Sequence, residues 1–443
     1  MATDKKYQSR RDFIKKIGIG AGASLAFATL NPITMISKQR DEDYPLSNKM
    51  TYRVQHKTGE KISLLGFGMM RLPQGQESVN ELVDYAIKNG VNYFDTAPMY
   101  LRGESEKITG NALSRHPRES YYVATKMSNY DKKYWNLENA KQMYENSFRN
   151  LKVDDIDYYL LHGVGQGGME NLKQRFLDNG VLDFLLEERR VGRIKHLGFS
   201  YHGDVEVFDY LVERNPKYKW DFVQIQMNYL DWRHASLSER SWAKDADAEY
   251  LYSKLEKFNI QAVIMEPLRG GALASIPDEY AAKLKELRPD SSISEWAFRW
   301  VGSKPNILTV LSGMNKMEHL VENIKTYSPI EICTNSENQV LEEIADGISG
   351  IPTIPCTTCG YCMPCPFGVD IPGNFSLYNK AIQNQTIKNK SFAADYNNTF
   401  KVEERASQCV DCEACLPKCP QQIRIPNQMR RISEVLKNSL KEK

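Results

Sequence analysis

Apolar residues form short runs along the middle of the chain, and between residue 51 and about 330 these runs alternate with amphipathic stretches. The stretches Val79–Asn89, Leu137–Leu151 and Gly180–Arg190 have helical spacing. The runs have the near-continuous apolar character of buried strands: Ile62–Met70, Val91–Thr96, Tyr121–Lys126, Ile156–Leu161, Ile194–Ser200, Phe222–Met227, Gln261–Glu266 and Ile307–Leu311. This alternation predicts an α/β protein in which helices cover a parallel sheet.

Eight strand–helix units over roughly 270 residues fit a (β/α)8 TIM barrel. A doubly wound open sheet is the alternative, but its Gly-x-Gly-x-x-Gly turn is not completed by Gly66-Phe67-Gly68. A short hairpin of Tyr52–Val54, with its return near Thr58-Gly59, is predicted to close the barrel floor. We place the barrel at residues 51–330 and a helical linker with a second, smaller domain at 331–443.

The amino-acid composition limits the possible binding partners of the protein more than it limits the possible folds. The 443 residues leave room for two or three domains, and the net charge is +2. No Lys/Arg tract lies beyond the N-terminus, so we expect no nucleic-acid partner. No apolar run reaches the length of a bilayer span, so we expect no stable membrane span.

Eight of the nine cysteines lie in two short runs near the C-terminus, and each run ends in Cys-Pro. The first run is Cys356, Cys359, Cys362 and Cys365, and the second is Cys409, Cys412, Cys415 and Cys419. The second run fits the spacing of cubane iron–sulfur proteins, whereas the first has two residues rather than three before its last cysteine. We therefore predict two [4Fe-4S] clusters. Structural zinc and disulfides are the rival interpretations, and the ninth cysteine, Cys333, is expected to be a small buried apolar residue.

The N-terminal segment Ser9-Arg10-Arg11-Asp12-Phe13-Ile14-Lys15 precedes an uncharged stretch from Ile17 to Leu30 that is rich in Gly and Ala. This arrangement resembles a twin-arginine export signal. A basic amphipathic helix is the alternative, although the glycines of the stretch would weaken it. We predict a signal at residues 1–30, a linker at 31–50, and a periplasmic or otherwise exported protein. Export of folded protein suits clusters that are assembled in the cytoplasm.

Four polar residues follow or end successive predicted strands, where a barrel carries its catalytic groups. They are Asp95, Tyr100, Lys126 and His162. A lysine ammonium beside a tyrosine is expected to favour the phenolate and lower its pKa, and an aspartate would hold that lysine. A histidine can hydrogen-bond a carbonyl oxygen as charge develops on it. Together these groups suit protonation of a carbonyl while hydride reaches carbon.

These four residues match the catalytic tetrad of the aldo-keto reductases, and the resemblance covers residues 51–330. It implies that Tyr100 is the general acid, that Lys126 tunes it, that Asp95 holds Lys126, and that His162 orients the substrate. It further implies coenzyme contacts from these residues: Ser200 and Gln224 to the nicotinamide carboxamide, and Glu322 and Asn323 to the adenine end. The Arg269-Gly270-Gly271 segment offers backbone donors for a pyrophosphate or is simply a loop turn. The C-terminal domain resembles two-cluster bacterial ferredoxins, which implies crossed ligand sets: Cys356, Cys359 and Cys362 with Cys419, and Cys409, Cys412 and Cys415 with Cys365.

The sequence departs from the family pattern at three places near the coenzyme. Met265-Glu266-Pro267 stands where a tyrosine usually stacks on the nicotinamide, Tyr201 replaces the usual asparagine, and His319 replaces an arginine that reads the 2′-phosphate. Histidine is a poor substitute for that fixed fork of donors. NAD(P)H is therefore one candidate coenzyme, without an indicated preference for NADPH.

Export and a freely exchanging nicotinamide are hard to combine, and three explanations stay open. In the first, the coenzyme is bound before export and is reduced again by the clusters. In the second, the pocket uses another electron carrier. In the third, the export signal is inefficient. Two functions also stay open. The first is an enzyme that reduces a small carbonyl or oxidises an alcohol, coupled to the clusters and to an unknown redox partner. The second is an electron-transfer protein whose barrel is a docking scaffold.

Other aromatic and basic residues give weaker signals. His196, His202 and His234 are expected near the barrel mouth, as solvated or packed side chains rather than substrate contacts. Trp232, Trp242 and Tyr250 are expected to pack the segment after the sixth strand rather than to line a sugar-binding lip.

Overall fold

A computed structural model describes residues 49–235, 246–387 and 390–439. The predicted export signal and nearly all of the predicted linker lie outside the described residues, as does Trp242. Among the described residues, none of the helices combines the length and the apolar composition that crossing a bilayer requires.

Strands β3 to β10 close into a parallel barrel in the order β10-β3-β4-β5-β6-β7-β8-β9. Their bounds are β3 Leu65–Gly68, β4 Tyr93–Asp95, β5 Tyr122–Met127, β6 Ile156–Val164, β7 Ile194–Tyr201, β8 Phe222–Gln226, β9 Gln261–Met265 and β10 Ile307–Ser312. The strands are almost wholly buried, because side chains fill the interior and helices cover the outside. Tyr93, Tyr158, Phe222 and Leu308 form part of the interior packing. The predicted (β/α)8 barrel is therefore confirmed.

A two-stranded hairpin lies at the N-terminal end of the barrel. Strand β1, Tyr52–Val54, pairs antiparallel with β2, Lys61–Ser63. Gln261, the first residue of β9, donates from its side chain to the Val54 carbonyl at 3.0 Å, which ties the hairpin to the barrel floor. The return strand lies two residues beyond the predicted Thr58-Gly59, because those residues form the turn, and the predicted run Ile62–Met70 is divided between β2 and β3.

Helices surround the barrel and form most of the C-terminal domain. In Gln76–Lys88, Val79, Val83 and Ala86 are buried at the three-to-four-residue spacing that places them on one face. The other barrel helices are Ser105–Leu113, Leu137–Leu151, Gly168–Leu172, Val181–Arg190, Val205–Glu213, Asn215–Tyr218, Asp231–His234, Ala248–Lys257, Asp278–Leu287, Ile293–Gly302 and Met317–Thr326, followed by Asn335–Ser349. The helices of the cysteine-bearing domain are Ile371–Gln383, Lys390–Thr399 and Ile425–Ser439.

The cysteine-bearing domain has a hydrophobic core of its own. Phe375, Tyr378, Phe400, Met429 and Ile432 are buried together there. Partly buried cysteines from both cysteine runs pack against the edge of this core. The two runs therefore belong to one folded unit.

Helix Asn335–Ser349 is fastened to the barrel through one carboxylate. Glu337 forms a capping box with Thr334 and accepts two hydrogen bonds from the guanidinium of Arg299, at 3.1 and 3.0 Å. Arg288 donates a third, at 2.7 Å. These donors lower the pKa of Glu337 to about 2 against the opposing effect of burial. The stabilising charge is thus present at neutral pH and is lost only as the pH falls from about 4.5 through about 2.

We expect Glu337→Gln to lower the free energy of unfolding by roughly 3 kcal/mol, because the buried Arg299 would lose its counter-ion. Glu331→Gln is the matched control, since Glu331 pairs with Arg288 at the surface and is 68% exposed; its expected effect is within about 0.5 kcal/mol. Anaerobic urea unfolding followed by tryptophan fluorescence measures both. Equal effects in the two variants would contradict this role for Glu337.

Candidate active site and metal centre

Asp95 and Lys126 form a buried ion pair at the C-terminal end of the barrel. Asp95 ends β4 and Lys126 lies near the end of the neighbouring strand β5. The ammonium donates to the Asp95 carboxylate and to the carbonyl of Thr96, the latter at 2.8 Å. Burial raises the pKa of Asp95 and lowers that of Lys126, while their mutual attraction opposes both shifts. The lysine is held rigidly by this pair of acceptors.

Tyr100 follows β4 in a 3-10 turn, Tyr100–Gly103, whose Leu101 and Arg102 adopt left-handed backbone conformations. The Lys126 ammonium lies 4.9 Å from the centroid of the Tyr100 ring. Burial raises the pKa of Tyr100 well above its usual value, and the Asp95 carboxylate acts in the same direction. The predicted lowering of this pKa by Lys126 is therefore wrong, because burial has the largest effect and raises the pKa. The phenol is therefore protonated at neutral pH.

His162 lies in β6 and is buried. Its Nδ1 shares a hydrogen bond of 2.6 Å with the Ser128 hydroxyl, and its ring lies 5.8 Å from that of Tyr100 and 5.2 Å from that of Tyr130. Arg175 donates to the His162 carbonyl at 2.7 Å. Burial lowers the pKa of His162 well below its usual value, so the imidazole is neutral. Because Nδ1 of this neutral ring is bonded to Ser128, the other ring nitrogen, Nε2, is the one that can hydrogen-bond a group in the cavity.

We use the name barrel-mouth cavity for the space that these side chains border. It is lined from the barrel by Gly68, Met70, Arg71, Asp95, Tyr100, His162, His202, Gln224, Met265, Glu266, Leu311 and Gly313, and from the C-terminal domain by Thr357, Cys359, Tyr361, Pro420 and Gln421. Three of the four predicted catalytic residues border it directly, and the fourth, Lys126, is bonded to Asp95. The barrel residues form the walls of the cavity. The five residues from the cysteine-bearing domain cover it, and we call them the roof.

The roof is seated by close backbone contacts. A Cβ added to Gly270 would lie 2.5 Å from the Thr357 backbone, so only a glycine leaves room there. The Arg71 guanidinium donates to the Thr357 carbonyl, and Gln421 donates to the Gln226 side chain at 3.0 Å. Each cysteine run thus contacts the barrel through a residue within two positions of one of its cysteines.

The eight thiols line two separate cavities in the C-terminal domain. The inner cluster cavity is bordered by Cys356, Cys359, Cys362 and Cys419. The outer cluster cavity is bordered by Cys365, Cys409, Cys412 and Cys415. Each cavity takes three thiols from one run and one from the other, and apolar side chains such as Ile371 and Ile425 complete both.

Four thiolates around an apolar cavity are a donor set for soft iron. In the described part of the chain, no group of three or more His, Cys, Asp or Glu residues is arranged to hold a single metal ion. The cysteine residues fit an iron–sulfur cluster, which each cavity would bind through its own four thiols. Cys359 borders both the inner cluster cavity and the barrel-mouth cavity, whereas Cys412 is exposed at the outer one.

The residues that the family resemblance assigned to a coenzyme are bonded within the protein. The Ser200 hydroxyl accepts from the Gly163 amide at 2.9 Å, and the Gln224 amide donates to Asp95 at 3.3 Å. The Asn323 amide donates to Ser312 at 2.9 Å. The remaining contacts are Glu322 with Ser292 and Ser294, Arg269 with Asp231, and the Gly270 amide with Glu266.

The part of the site that comes from the C-terminal domain was not predicted from the sequence. Thr357 and Tyr361 carry no motif of their own, and only their places beside cysteines distinguish them. The prediction that His196 lies near the barrel mouth is wrong, because this residue pairs with Glu60 at 2.6 Å on the hairpin side of the barrel. His202 borders the barrel-mouth cavity and His234 pairs with Asp346 at 2.8 Å.

Two other expectations concern packing. Trp232 packs against Trp300, with ring centroids 5.3 Å apart, and not against the barrel-mouth cavity. Tyr250 does not pack as predicted: it is exposed, and its hydroxyl donates to the Asp209 carboxylate at 2.9 Å. Cys333 is buried, as the sequence predicted.

Residues 64–344 match the aldo/keto reductase family, and residues 355–423 match the 4Fe-4S dicluster domain. The uncharacterized oxidoreductase YqkF of Bacillus subtilis is 28% identical over 293 residues, which cover 60% of this chain and 87% of that protein. L-galactose dehydrogenase of Arabidopsis thaliana is 23% identical over 317 residues, which cover 67% of this chain and 93% of that protein.

Solved structures share the barrel. An aldo-keto reductase of Bacillus halodurans in its holo form superposes with a TM-score of 0.54 at 22% identity, over 67% of this chain and 96% of that one. An aldo-keto reductase of Klebsiella pneumoniae in complex with NADPH gives a TM-score of 0.53 at 18% identity, over 67% of this chain and 95% of that one. These likenesses establish the fold of the barrel.

We expect Gly270→Ala to displace the Thr357–Tyr361 segment from the barrel, because the new methyl group would collide with the Thr357 backbone. Gly271→Ala is the matched control: both glycines have positive φ, +69° and +98°, but a Cβ at Gly271 would meet nothing within 4 Å. Hydrogen–deuterium exchange of the Thr357–Tyr361 segment should rise in Gly270→Ala and stay near wild type in Gly271→Ala. Unchanged exchange in Gly270→Ala would contradict the docked position of this segment.

Proposed function

The chain belongs to the aldo/keto reductase family, and we propose that it interconverts a small carbonyl compound and the corresponding alcohol while exchanging electrons with two [4Fe-4S] clusters. It is an aldo-keto reductase-like oxidoreductase that carries a 4Fe-4S dicluster domain. The observation that carries the proposal is the shared cavity: Cys359 of the inner cluster cavity and Tyr100 of the catalytic group line the same space.

The protonation states suit carbonyl reduction. Tyr100 keeps its proton at neutral pH and would give it to the carbonyl oxygen, and the neutral His162 would hydrogen-bond the same oxygen as negative charge develops there. Lys126, fixed by Asp95, places positive charge beside Tyr100 and favours the phenolate that remains. In the reverse direction the same phenolate would accept the alcohol proton.

Two clusters match the electron count of this reaction. Reduction of a carbonyl to an alcohol takes two electrons and two protons. Each [4Fe-4S] cluster, when bound, would supply one electron. Tyr100 would give one proton to the oxygen, and a proton from solvent would form the new C–H bond. The proposed ligand sets are the four thiols of the inner and of the outer cluster cavity. The exposed Cys412 makes the outer cavity the side from which an external one-electron partner would be reached.

Residues that the family resemblance assigns to a nicotinamide dinucleotide are engaged in hydrogen bonds within this chain. The NADPH-bound relative shows that the barrel fold accepts this coenzyme, but here the expected contact residues Ser200, Gln224 and Asn323 bind other protein groups. The Thr357 backbone also lies against Gly270, next to the loop that would hold a pyrophosphate. We therefore route no electrons through NAD(P)H in the proposed reaction.

The barrel-mouth cavity offers several hydrogen-bonding groups to a small hydroxylated substrate. Arg71, Asp95, His162, His202 and Gln224 border it, together with apolar side chains that include Met70, Met265 and Leu311. One relative is an L-galactose dehydrogenase and another, from Bacillus subtilis, is a glyoxal reductase. A sugar-like or other small carbonyl compound is thus the proposed substrate class.

Export by the twin-arginine route is also part of the proposal. It rests on the Ser9–Lys15 pattern, and it agrees with a protein that obtains electrons through bound clusters instead of a soluble cytoplasmic coenzyme. The physiological donor or acceptor would then be a one-electron carrier at the destination.

The test uses anaerobic, cluster-replete protein with methyl viologen as the one-electron carrier. Glyoxal should reoxidise reduced viologen, or L-galactose should reduce oxidised viologen, in a protein-dependent reaction. Tyr100→Phe should lower this turnover at least ~100-fold, because the proton donor is lost, and should leave the cluster EPR spectrum unchanged. Tyr378→Phe, a buried tyrosine of the C-terminal domain, is the matched control.

The competing function is an electron-transfer protein whose barrel only docks a partner, which the internally bonded coenzyme residues would suit. It predicts reversible reduction of the clusters by viologen, no turnover with a panel of small carbonyls and alcohols, and no effect of Tyr100→Phe. Bleaching of the clusters by NADH or NADPH would instead contradict our assignment of the electron route.

The crossed ligand sets give a separate prediction. Cys419→Ser should remove the same EPR signal as Cys359→Ser, although the two residues belong to different runs, because both line the inner cluster cavity. Cys365→Ser should resemble Cys412→Ser. If Cys419→Ser resembled Cys412→Ser instead, each run would bind its own cluster.

A further inference from the structure

Tyr361 stands between two cysteines of the inner cluster cavity and reaches into the barrel-mouth cavity. Cys359 and Cys362 flank it in the sequence and both border the inner cluster cavity. Its own side chain lines the barrel-mouth cavity together with Tyr100 and His162. The residue therefore belongs to the cysteine loop by sequence and to the catalytic cavity by position.

Tyr361 contacts the proposed proton donor directly. The ring centroids of Tyr361 and Tyr100 lie 6.4 Å apart with their planes inclined by 34°. The hydroxyl groups of the two tyrosines share a hydrogen bond. Lys126 meets the same tyrosine over its ring face, at 4.9 Å, so the two groups hold different parts of Tyr100.

The position of Tyr361 depends on the roof. Thr357, four residues earlier, is fixed against Gly270 and accepts from Arg71. On the other side, Cys362 is buried at the edge of the C-terminal core. Because the loop is anchored at both ends, Tyr361 can hold Tyr100 only when this loop is folded over the barrel.

We propose that Tyr361 is a positioning residue of the active site, contributed by the iron–sulfur domain, which orients the Tyr100 hydroxyl towards the carbonyl oxygen of the substrate. This inference rests on the proposed function for its catalytic consequence. It makes the catalytic cavity a structure of two domains: the loop that would bind the inner cluster also completes the proton-donating group. A barrel without this loop would contain the four catalytic residues, but the Tyr100 hydroxyl would not be held in the orientation that proton transfer requires.

Tyr361→Phe removes only the hydroxyl, and Tyr378→Phe is the matched control, because it removes a hydroxyl that bonds to Arg431 elsewhere in the same domain. With reduced methyl viologen and glyoxal, we expect Tyr361→Phe to lower kcat about tenfold, the effect of losing one ordinary hydrogen bond. The KM should stay within about twofold, since Tyr361 acts through Tyr100, and the EPR spectrum of the reduced clusters should match that of the wild type. Tyr378→Phe should preserve all three quantities.

A second measurement reports on position without turnover. With 3-fluorotyrosine incorporated at position 100 of the cluster-replete protein, Tyr361→Phe should shift or broaden the single 19F resonance, and Tyr378→Phe should leave it unchanged. An unchanged resonance in Tyr361→Phe, or an unchanged kcat, would overturn the proposal. If the wild type turned over none of the probes, the proposed function would fail, while the 19F spectrum would still decide whether Tyr361 positions Tyr100.

Discussion

The seating of the cysteine loop on the C-terminal end of the barrel is the contact on which the rest of this protein depends. It is a contact between backbones, because Gly270 has no side chain to hold Thr357 away. Arg71 secures it with a hydrogen bond to the Thr357 carbonyl. From this one contact follow the roof of the cavity, the place of Tyr361 beside Tyr100, and the approach of Cys359 to the catalytic residues. A cysteine of the inner cluster cavity and the proposed proton donor thereby border the same cavity.

Burial determines the chemistry inside that space. Removal from water keeps Tyr100 protonated and His162 neutral, so both can act on a carbonyl oxygen without bringing a net charge to it. Close to Tyr100, the charges of Asp95 and Lys126 form a buried ion pair in which each neutralises the other. This ion pair can hold Tyr100 in place, through the contact of Lys126 with its ring, while the phenolic proton stays available for transfer.

The barrel and the cysteine cavities were predictable because each rests on a short-range pattern. Buried parallel strands need apolar runs, and cluster loops need closely spaced thiols, so both leave marks that can be read along the chain. Errors arose where position within an element mattered. His196 is the third residue of β7, which places it towards the N-terminal end of the strand, on the hairpin side where Glu60 meets it. The hairpin return was misplaced for a similar reason, because Thr58 and Gly59 form the turn between β1 and β2.

The sequence by itself determined the two domains, the barrel, the four polar residues at its strand ends and the two sets of thiols. Only the tertiary structure decided how the domains meet. The Thr357–Gly270 contact, the Tyr361–Tyr100 pair and the internal bonding of Ser200, Gln224 and Asn323 each join residues that are far apart in the chain. Contacts of this kind carry no local signature, because their free energy comes from surfaces that exist only after each domain has folded. The pKa of Tyr100 belongs to the same class, since it depends on burial that no neighbouring residue in the sequence reveals.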